Sequence, residues 1–414
     1  MLLIKNGTLV NPRTSHYEKM DILLDGERIV HVDKAIHQES SVEIIDATGM
    51  IITPGFIDLH VHLREPGFEE KETIYTGSRA CAKGGYTSVV CMPNTKPALD
   101  SVETIAHLQE IIKRDSVISI YPAGAITKGI AGEVLTDHVA LINAGVVTLS
   151  DDGRTTMNTE FMENAFKASR KHNIPVMTHS EDHQITVNFK NEIFPTEAES
   201  NIVKRDIELC KKTKGILHVS HVSTKVAIDA IMTAKKEGIE VTCEAAPHHF
   251  ALSTEMVDMH STMSKVNPPI RSNEDRKVIV DAIKNGIIDV IATDHAPHDL
   301  KSKELPYGDA SFGISGIESA FCISYKTLVE SGEITLLHLI EMLTNKPAKI
   351  GRLKEVGSIE VGYYADIAII DLNKEVIIDS RDFISKGKNT PFNGFIGKGE
   401  VVKTLHHGRV VYSK

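Results

Sequence analysis

The chain has 414 residues, 41% of them hydrophobic and 25% charged, with a formal net charge of −10 at pH 7. That length allows one large core plus a small accessory unit. The acidic balance argues against nucleic-acid binding, and no apolar run reaches the roughly 18 residues that a membrane span needs. An anionic ligand must therefore be held by local cations. The N-terminal MLLIKNG lacks the charged-then-apolar order of a secretory signal, and the five cysteines are scattered without a C-x-x-C. A reducing, cytoplasmic setting is expected.

Residues 1–52 read as short strands with turns. Residues 2–4 precede Asn6-Gly7, and 21–24 meet Asp25-Gly26 before 28–30. Asn-Gly and Asp-Gly between apolar runs are hairpin signals. Strand-like runs then fall at 56–62, 87–92, 118–123, 146–150, 175–178, 216–221, 240–244 and 289–293. Helix-like runs follow each, at 72–83, 102–113, 134–143, 158–172, 197–213, 225–236, 274–285 and 318–330. Many end at a glycine (Gly84, Gly145, Gly215, Gly238, Gly286), as helix C-termini do. The alternation predicts an α/β fold, a (β/α)8 TIM-like barrel over residues 53–354. A doubly wound open sheet is the alternative, but no G-x-G-x-x-G or P-loop supports it. The polar loop 298–312 after strand eight has the length of a lid. The last stretch returns to strands at 366–370, 376–378 and 401–405, with His407-Gly408 before 409–412. Neither terminal piece makes a comfortable core alone. Residues 1–52 and 355–414 are therefore predicted to pair into one small β-sandwich domain.

Barrel active sites lie at the C-terminal ends of the strands. His60 and His62 end strand one, Asp151-Asp152 strand four, His179 strand five, His221 strand six, and Asp294 with His298 strand eight. His60, His62 and Arg64 share one strand face. Imidazoles with carboxylates suit Zn, Mn or Fe, and the set exceeds one tetrahedral site, so two metals are expected. Any one of these histidines alone is more often a satisfied core or rim residue. The agreement of several strand ends carries the argument. Other residues take plainer readings. His107, His138, His172, His260 and His338 are expected at the surface, and His218, on the strand face opposite His221, is expected to pack or to support a ligand. His248 and His249 either orient ligands or serve the loop. Cys91 and Cys243 are buried small hydrophobes, and Asp58 is structural or supports the ligands.

The motifs HVHLREPG (60–67), MPNT (92–95), SDDG (150–153), HVSHVST (218–224), PHH (247–249), VNPPIR (266–271) and ATDHAPH (292–298) resemble those of bacterial type I dihydroorotases, within the amidohydrolase superfamily. The likeness covers nearly the whole chain. It implies a zinc enzyme, with two Zn2+ per subunit, that interconverts N-carbamoyl-L-aspartate and L-dihydroorotate through a metal-bridging hydroxide. His60 and His62 would bind the buried metal, and His179 and His221 the more exposed one. Asp152 would be the shared ligand, although spacing alone does not choose between Asp151 and Asp152. Asp294 would be both ligand and general acid/base. Arg64, Asn94 and His298 would bind the substrate carboxylate. His62, Asn267 and the Phe312-Gly313 backbone would complete the pocket. The resemblance also implies a homodimer and an association with aspartate carbamoyltransferase. The segment 181–199 departs from it, being short, with His183 and Phe189 unusual and Ser180-Glu181 where Cys-Glu is common. Allantoinase and hydantoinase are the nearest rivals. They carry a carboxylated lysine at strand four and lack the arginine of H-x-H-x-R. Residues 146–152 hold no lysine, and Arg64 is present. A noncatalytic scaffold of this family would have lost ligands, and none is missing.

Overall fold

The computed structural model describes residues 1–37, 42–189 and 193–414. All eight predicted barrel strands form: Phe56–Val61, Tyr86–Cys91, Ser119–Gly124, Thr148–Leu149, Val176–Thr178, Leu217–Val219, Val241–Ala245 and Val290–Ile291. They are apolar runs buried on both faces, as parallel strands covered by helices must be. They pair in parallel and in chain order. The ring closes where Val61 bridges His295 and the His62 amide donates to the His295 carbonyl at 2.8 Å. The main apolar cluster joins Val89, Leu149, Val176, Leu217 and Ile291 on the strands to Leu108, Phe166, Ile207, Ile231 and Ile283 on the helices.

Seven predicted helices form as Ile74–Lys83, Val102–Asp115, His138–Asn143, Thr159–His172, Thr196–Thr213, Lys225–Lys236 and Asn273–Lys284. The third is a turn shorter than expected because Asp137 caps it, its side chain accepting from the Ala140 amide at 3.0 Å. The run at 318–330 forms a short helix, Ala320–Ser324, continued by π-helical Tyr325–Glu330. Two consecutive helices, Leu336–Leu343 and Asn345–Ile350, fall outside the predicted runs, as do the single turns His183–Thr186, Pro247–Ala251 and Leu300–Lys303. The first buries Leu336, Leu339, Ile340, Met342 and Leu343. A helix apolar nearly all round has a weak periodic signature.

Both termini build one eight-stranded sheet, the predicted small sandwich, around Ile4, Leu9, Ile22, Ile29, Ile52, Ile367 and Leu405. Asn6-Gly7 is not a hairpin turn. One strand runs through it, Leu2–Asn11, with Asn6 at φ 67° and a register shift between Ile4 and Gly7. Here the Asn-Gly pair makes a bulge, where a Cβ on Gly7 would lie 2.5 Å from the Ile52 side chain. The runs at 366–370 and 376–378 likewise fuse into one strand, Ile367–Ile377. Strand Ile51–Pro54 pairs with Ile367–Ile370 and passes through Gly55 into the first barrel strand, so the terminal sheet anchors the strand that carries His60. No helix among the described residues is long and apolar enough to cross a membrane.

Candidate active site

Strand one aims Asp58, His60 and His62 inward, two residues apart. His60 is fully buried. Its Nε2 lies 3.3 Å from Asp152 Oδ1 and 3.6 Å from Asp294 Oδ1. His62 Nε2 lies 3.4 Å from Asp152 Oδ2 and 3.0 Å from Asp294 Oδ1. His179 Nδ1 and His221 Nε2 stand 3.0 Å apart, and 3.7 Å and 3.8 Å from Asp152 Oδ1. Asp152 thus touches all four imidazoles. Asp151 does not: its carboxylate accepts from the Thr127 amide at 3.0 Å and from the Thr127 and Thr156 hydroxyls at 2.6 and 2.7 Å. His221 and Asp294 both have left-handed backbones, at φ 31° and 48°. Such outliers persist where the surroundings over-determine them.

Three of the four outer ring nitrogens are tied down, and His221 Nδ1 is buried without a partner. His60 Nδ1 donates to Glu244 Oε1 at 2.6 Å, His62 Nδ1 to Asn94 Oδ1 at 3.0 Å, and His179 Nε2 to Glu181 Oε2 at 3.2 Å. Each ring can therefore turn a lone pair toward the carboxylates, the tautomer a metal-binding imidazole needs. His60 Nε2 and Asp152 Oδ1 are buried without a hydrogen bond. Burial raises the pKa of Asp152 and of Asp294, yet the surrounding imidazoles outweigh it and hold both carboxyls below their usual range. Lone pairs facing anions repel unless a cation lies between them. The donor atoms of His60, Asp152 and His221, and those of His60, His62 and Asp294, form two groups within 4.8 Å. These residues fit a divalent metal.

Two supporting carboxylates escaped the sequence reading. Glu244 also accepts from the His221 amide at 3.3 Å and from His218 Nε2 at 3.0 Å. Its one signal was its place at the C-terminal end of the strand run 240–244. Glu181 accepts from Thr186 Oγ1 at 2.5 Å and lies 3.3 Å from His183 Nδ1, so the unusual His183 sits behind His179. Residues 190–192 of that unusual segment lie outside the described residues. Asp58 joins strands one and eight, accepting from the His60 amide at 3.0 Å and the Thr293 amide at 3.1 Å. His249 Nε2 donates to the Pro268 carbonyl at 3.0 Å. His138, expected at the surface, is buried, with Nε2 donating to the Ile126 carbonyl at 3.0 Å. The loop before its helix folds over it.

A cavity of about 170 Å3 opens above the cluster, lined by His62, Arg64, Asn94, Asp152, His179 and His221. Asn267, Asp294, His298, Phe312 and Gly313 complete its wall. Every sequence-chosen residue reaches this cavity except His60, which lies beneath it. Arg64, at φ 64°, donates from Nε to the Pro297 carbonyl at 3.2 Å and makes no ion pair among the described residues. Burial pushes its pKa down to about 10. His298 Nε2 donates to the Phe312 carbonyl at 2.8 Å, and burial, with Arg64 next, pushes its pKa down to about 2. Asn267 Nδ2 donates to Glu181 Oε2 at 2.8 Å. The Gly313 amide is already given to the Lys265 carbonyl at 3.0 Å. A larger cavity, about 450 Å3, lies between Glu318–Cys322 and the terminal strands, but holds no imidazole. Chemistry, not size, selects the smaller one.

Residues 51–411 match the model of the amidohydrolase family. The dihydroorotase of Thermoanaerobacter sp. is 41% identical over all of this chain and 97% of its own. That of Geobacter metallireducens is 39% identical over the whole of both chains. Among solved structures, a dihydropyrimidinase from Brevibacillus agri superimposes with a TM-score of 0.90 at 26% identity, over all of this chain and 95% of that one. An L-hydantoinase from Arthrobacter aurescens reaches 0.92 at 24% identity over 100% and 96%, a likeness of fold alone. The barrel is thus shared with hydantoinases, whereas the full-length sequence likeness runs to dihydroorotases. The chain belongs to the amidohydrolase family and, within it, to the dihydroorotases.

Proposed function

We propose that this chain catalyses the reversible cyclisation of N-carbamoyl-L-aspartate to L-dihydroorotate and water, in de novo pyrimidine biosynthesis. One observation carries the reading: Arg64, an arginine without an ion pair among the described residues, faces the same small cavity as the imidazole and carboxylate cluster. An anionic substrate placed against Arg64 lies over that cluster. Two zinc ions are the proposed cofactors, held by His60, His62, Asp152, His179, His221 and Asp294. Bound there, they supply Lewis acidity, lowering the pKa of water toward about 7 and polarising an amide carbonyl.

The residues do the rest. Arg64 offers its guanidinium fork to the substrate carboxylate, with Asn94 and His298 beside it. Asn267 and the Phe312-Gly313 segment close the pocket around the ring. In ring opening, the Asp294 carboxylate accepts a proton from water and delivers it to the departing ring nitrogen. In cyclisation it runs the same transfer in reverse. Cyclisation converts a carboxylate into an amide carbonyl and so consumes one proton. The equilibrium therefore moves about tenfold toward the ring per unit fall in pH. A homodimer in the cytoplasm, associating with aspartate carbamoyltransferase, and a domain division at residues 52/53 and 354/355, belong to the same reading. A hydantoinase-type activity is disfavoured by Ser150-Asp151-Asp152, which offers no lysine at strand four. The test is dihydroorotate hydrolysis by purified protein, with allantoin and hydantoin as controls and metal analysis of the same sample. Turnover of hydantoin but not dihydroorotate would reverse the assignment.

A further inference from the structure

Two buried ammonium groups take no part in this chemistry. Lys265 is 1% exposed and Lys303 0%. Neither makes an ion pair among the described residues. Burial, then the nearby Lys265, pushes the Lys303 pKa down to about 7. Hiding a cation without a counter-ion is costly unless its N–H groups are all taken up. Backbone carbonyls do so here. Lys303 Nζ donates to the carbonyls of Ser311 at 2.8 Å and of Gly313 and Lys265 at 3.2 Å each. Lys265 Nζ donates to the carbonyls of Ala310 at 2.7 Å, Gly308 at 3.3 Å, and Tyr307.

Five of these six carbonyls belong to the loop between His298 and Gly313. That loop holds a single helical turn, Leu300–Lys303, so most of its carbonyls lack a partner in regular structure. One lysine from within the loop and one from outside it gather those carbonyls. Lys265 Nζ also sits 4.3 Å from the centre of the Phe312 ring. The loop in turn positions the pocket. The Phe312 carbonyl holds His298 Nε2, which stands 3.2 Å from Arg64. Asn389 braces the same corner, donating to the Gly313 carbonyl at 2.9 Å and accepting from the His298 amide at 2.9 Å.

We infer that Lys265 and Lys303 are positioning residues: they clamp this loop so that Phe312 and Gly313 hold His298 beside Arg64, where the substrate carboxylate binds. The inference rests on the dihydroorotase reading for its kinetic consequence, and on the loop alone for its structural one. Lys303→Met keeps the unbranched stem out to Cε and removes the ammonium. Hydrogen exchange over residues 300–313, steady-state kinetics and metal content are measured on one preparation. Loop exchange is expected to quicken about tenfold or more, with metal content unchanged, as expected of local opening. KM for dihydroorotate is expected to rise about tenfold while kcat changes less than about threefold, because the carboxylate is held alike in ground and transition states. Unchanged exchange, or faster exchange with an unchanged KM, overturns the clamp. Should Lys303→Met fail to fold, Lys265→Met tests the same loop through its other set of carbonyls. Wild-type protein inactive on dihydroorotate would count against the reaction only, and the exchange rates would still decide the clamp.

Discussion

Two of the buried carboxylates of this barrel, Asp152 and Glu199, are hidden alike, and only the cluster around Asp152 reads as a site. Glu199, on helix Thr196–Thr213, accepts from the amides of Ser223 and Thr224 at 3.1 Å each and from the Thr224 hydroxyl at 2.8 Å. Arg271 Nε donates to Ser223 Oγ at 3.1 Å. Glu199 is 3% exposed and Asp152 2%. Burial therefore does not separate them. Glu199 is surrounded by N–H and O–H groups whose protons point at it. Asp152 is surrounded by four imidazoles, three of which have their outer nitrogens occupied elsewhere, and its Oδ1 is left without a hydrogen bond. A satisfied buried charge stabilises a fold, and an unsatisfied convergent set awaits a ligand.

Perturbing each cluster breaks or sharpens this contrast. Metal removal has the largest effect. Chelation is expected to take dihydroorotate turnover to background and zinc to restore it, whereas full activity of verified metal-free protein would refute a metal site. Asp294→Asn comes next, with kcat expected to fall roughly 10³- to 10⁴-fold in both directions, the range of general acid–base catalysis. Metal content should stay near wild type, because the other strand ends still hold the ions. If one direction kept its rate, Asp294 would not be the shared proton carrier.

Arg64→Met removes a buried charged contact to the substrate, worth about 2–5 kcal/mol. That corresponds to a loss of roughly 30- to several thousand-fold in kcat/KM for dihydroorotate. A neutral hydantoin, if turned over at all, should be handled no worse than before.

Glu244→Gln keeps the shape but weakens the grip on His60, and is expected to lower metal affinity about 10- to 100-fold. It also carries a pH signature in metal-free protein. Burial raises the Glu244 pKa, but His60 and His218 outweigh it and hold it at about 2, below the ordinary 4.5. The unfolded chain then binds the proton first as pH falls. Glu244 therefore contributes stability above pH 4.5, which is lost as pH drops toward 2. Acid titration of the apoproteins should show this loss in wild type and not in the variant. Glu199→Gln is the smallest and the control. It should cost about 1–3 kcal/mol of stability through unmatched buried donors. Metal stoichiometry and kcat/KM should not move, and a loss of metal would erase the distinction between the clusters.

The order of strands and helices, the barrel and the residues around its rim were legible in the chain. Apolar runs alternating with amphipathic ones are local patterns, and a parallel barrel brings all its strand C-termini together wherever they fall in sequence. His60, His62, His179, His221 and Asp294 were found in this way. What local spacing left open was settled by partners far along the chain. Asp152 rather than Asp151 meets the histidines because Thr127 and Thr156 occupy Asp151. Glu244 orients His60 from 184 residues away. Asn6-Gly7 makes a bulge and not a turn because strand His16–Asp25 pairs on both sides of it. His138 is buried because residues 126–136 fold over its helix. Lys265 and Lys303, ordinary surface types by composition, are buried because the strand-eight loop closes over them. Hydrophobic period is set by neighbours in sequence, but the partner of a polar atom is set by neighbours in space, and that is what tertiary structure decided here.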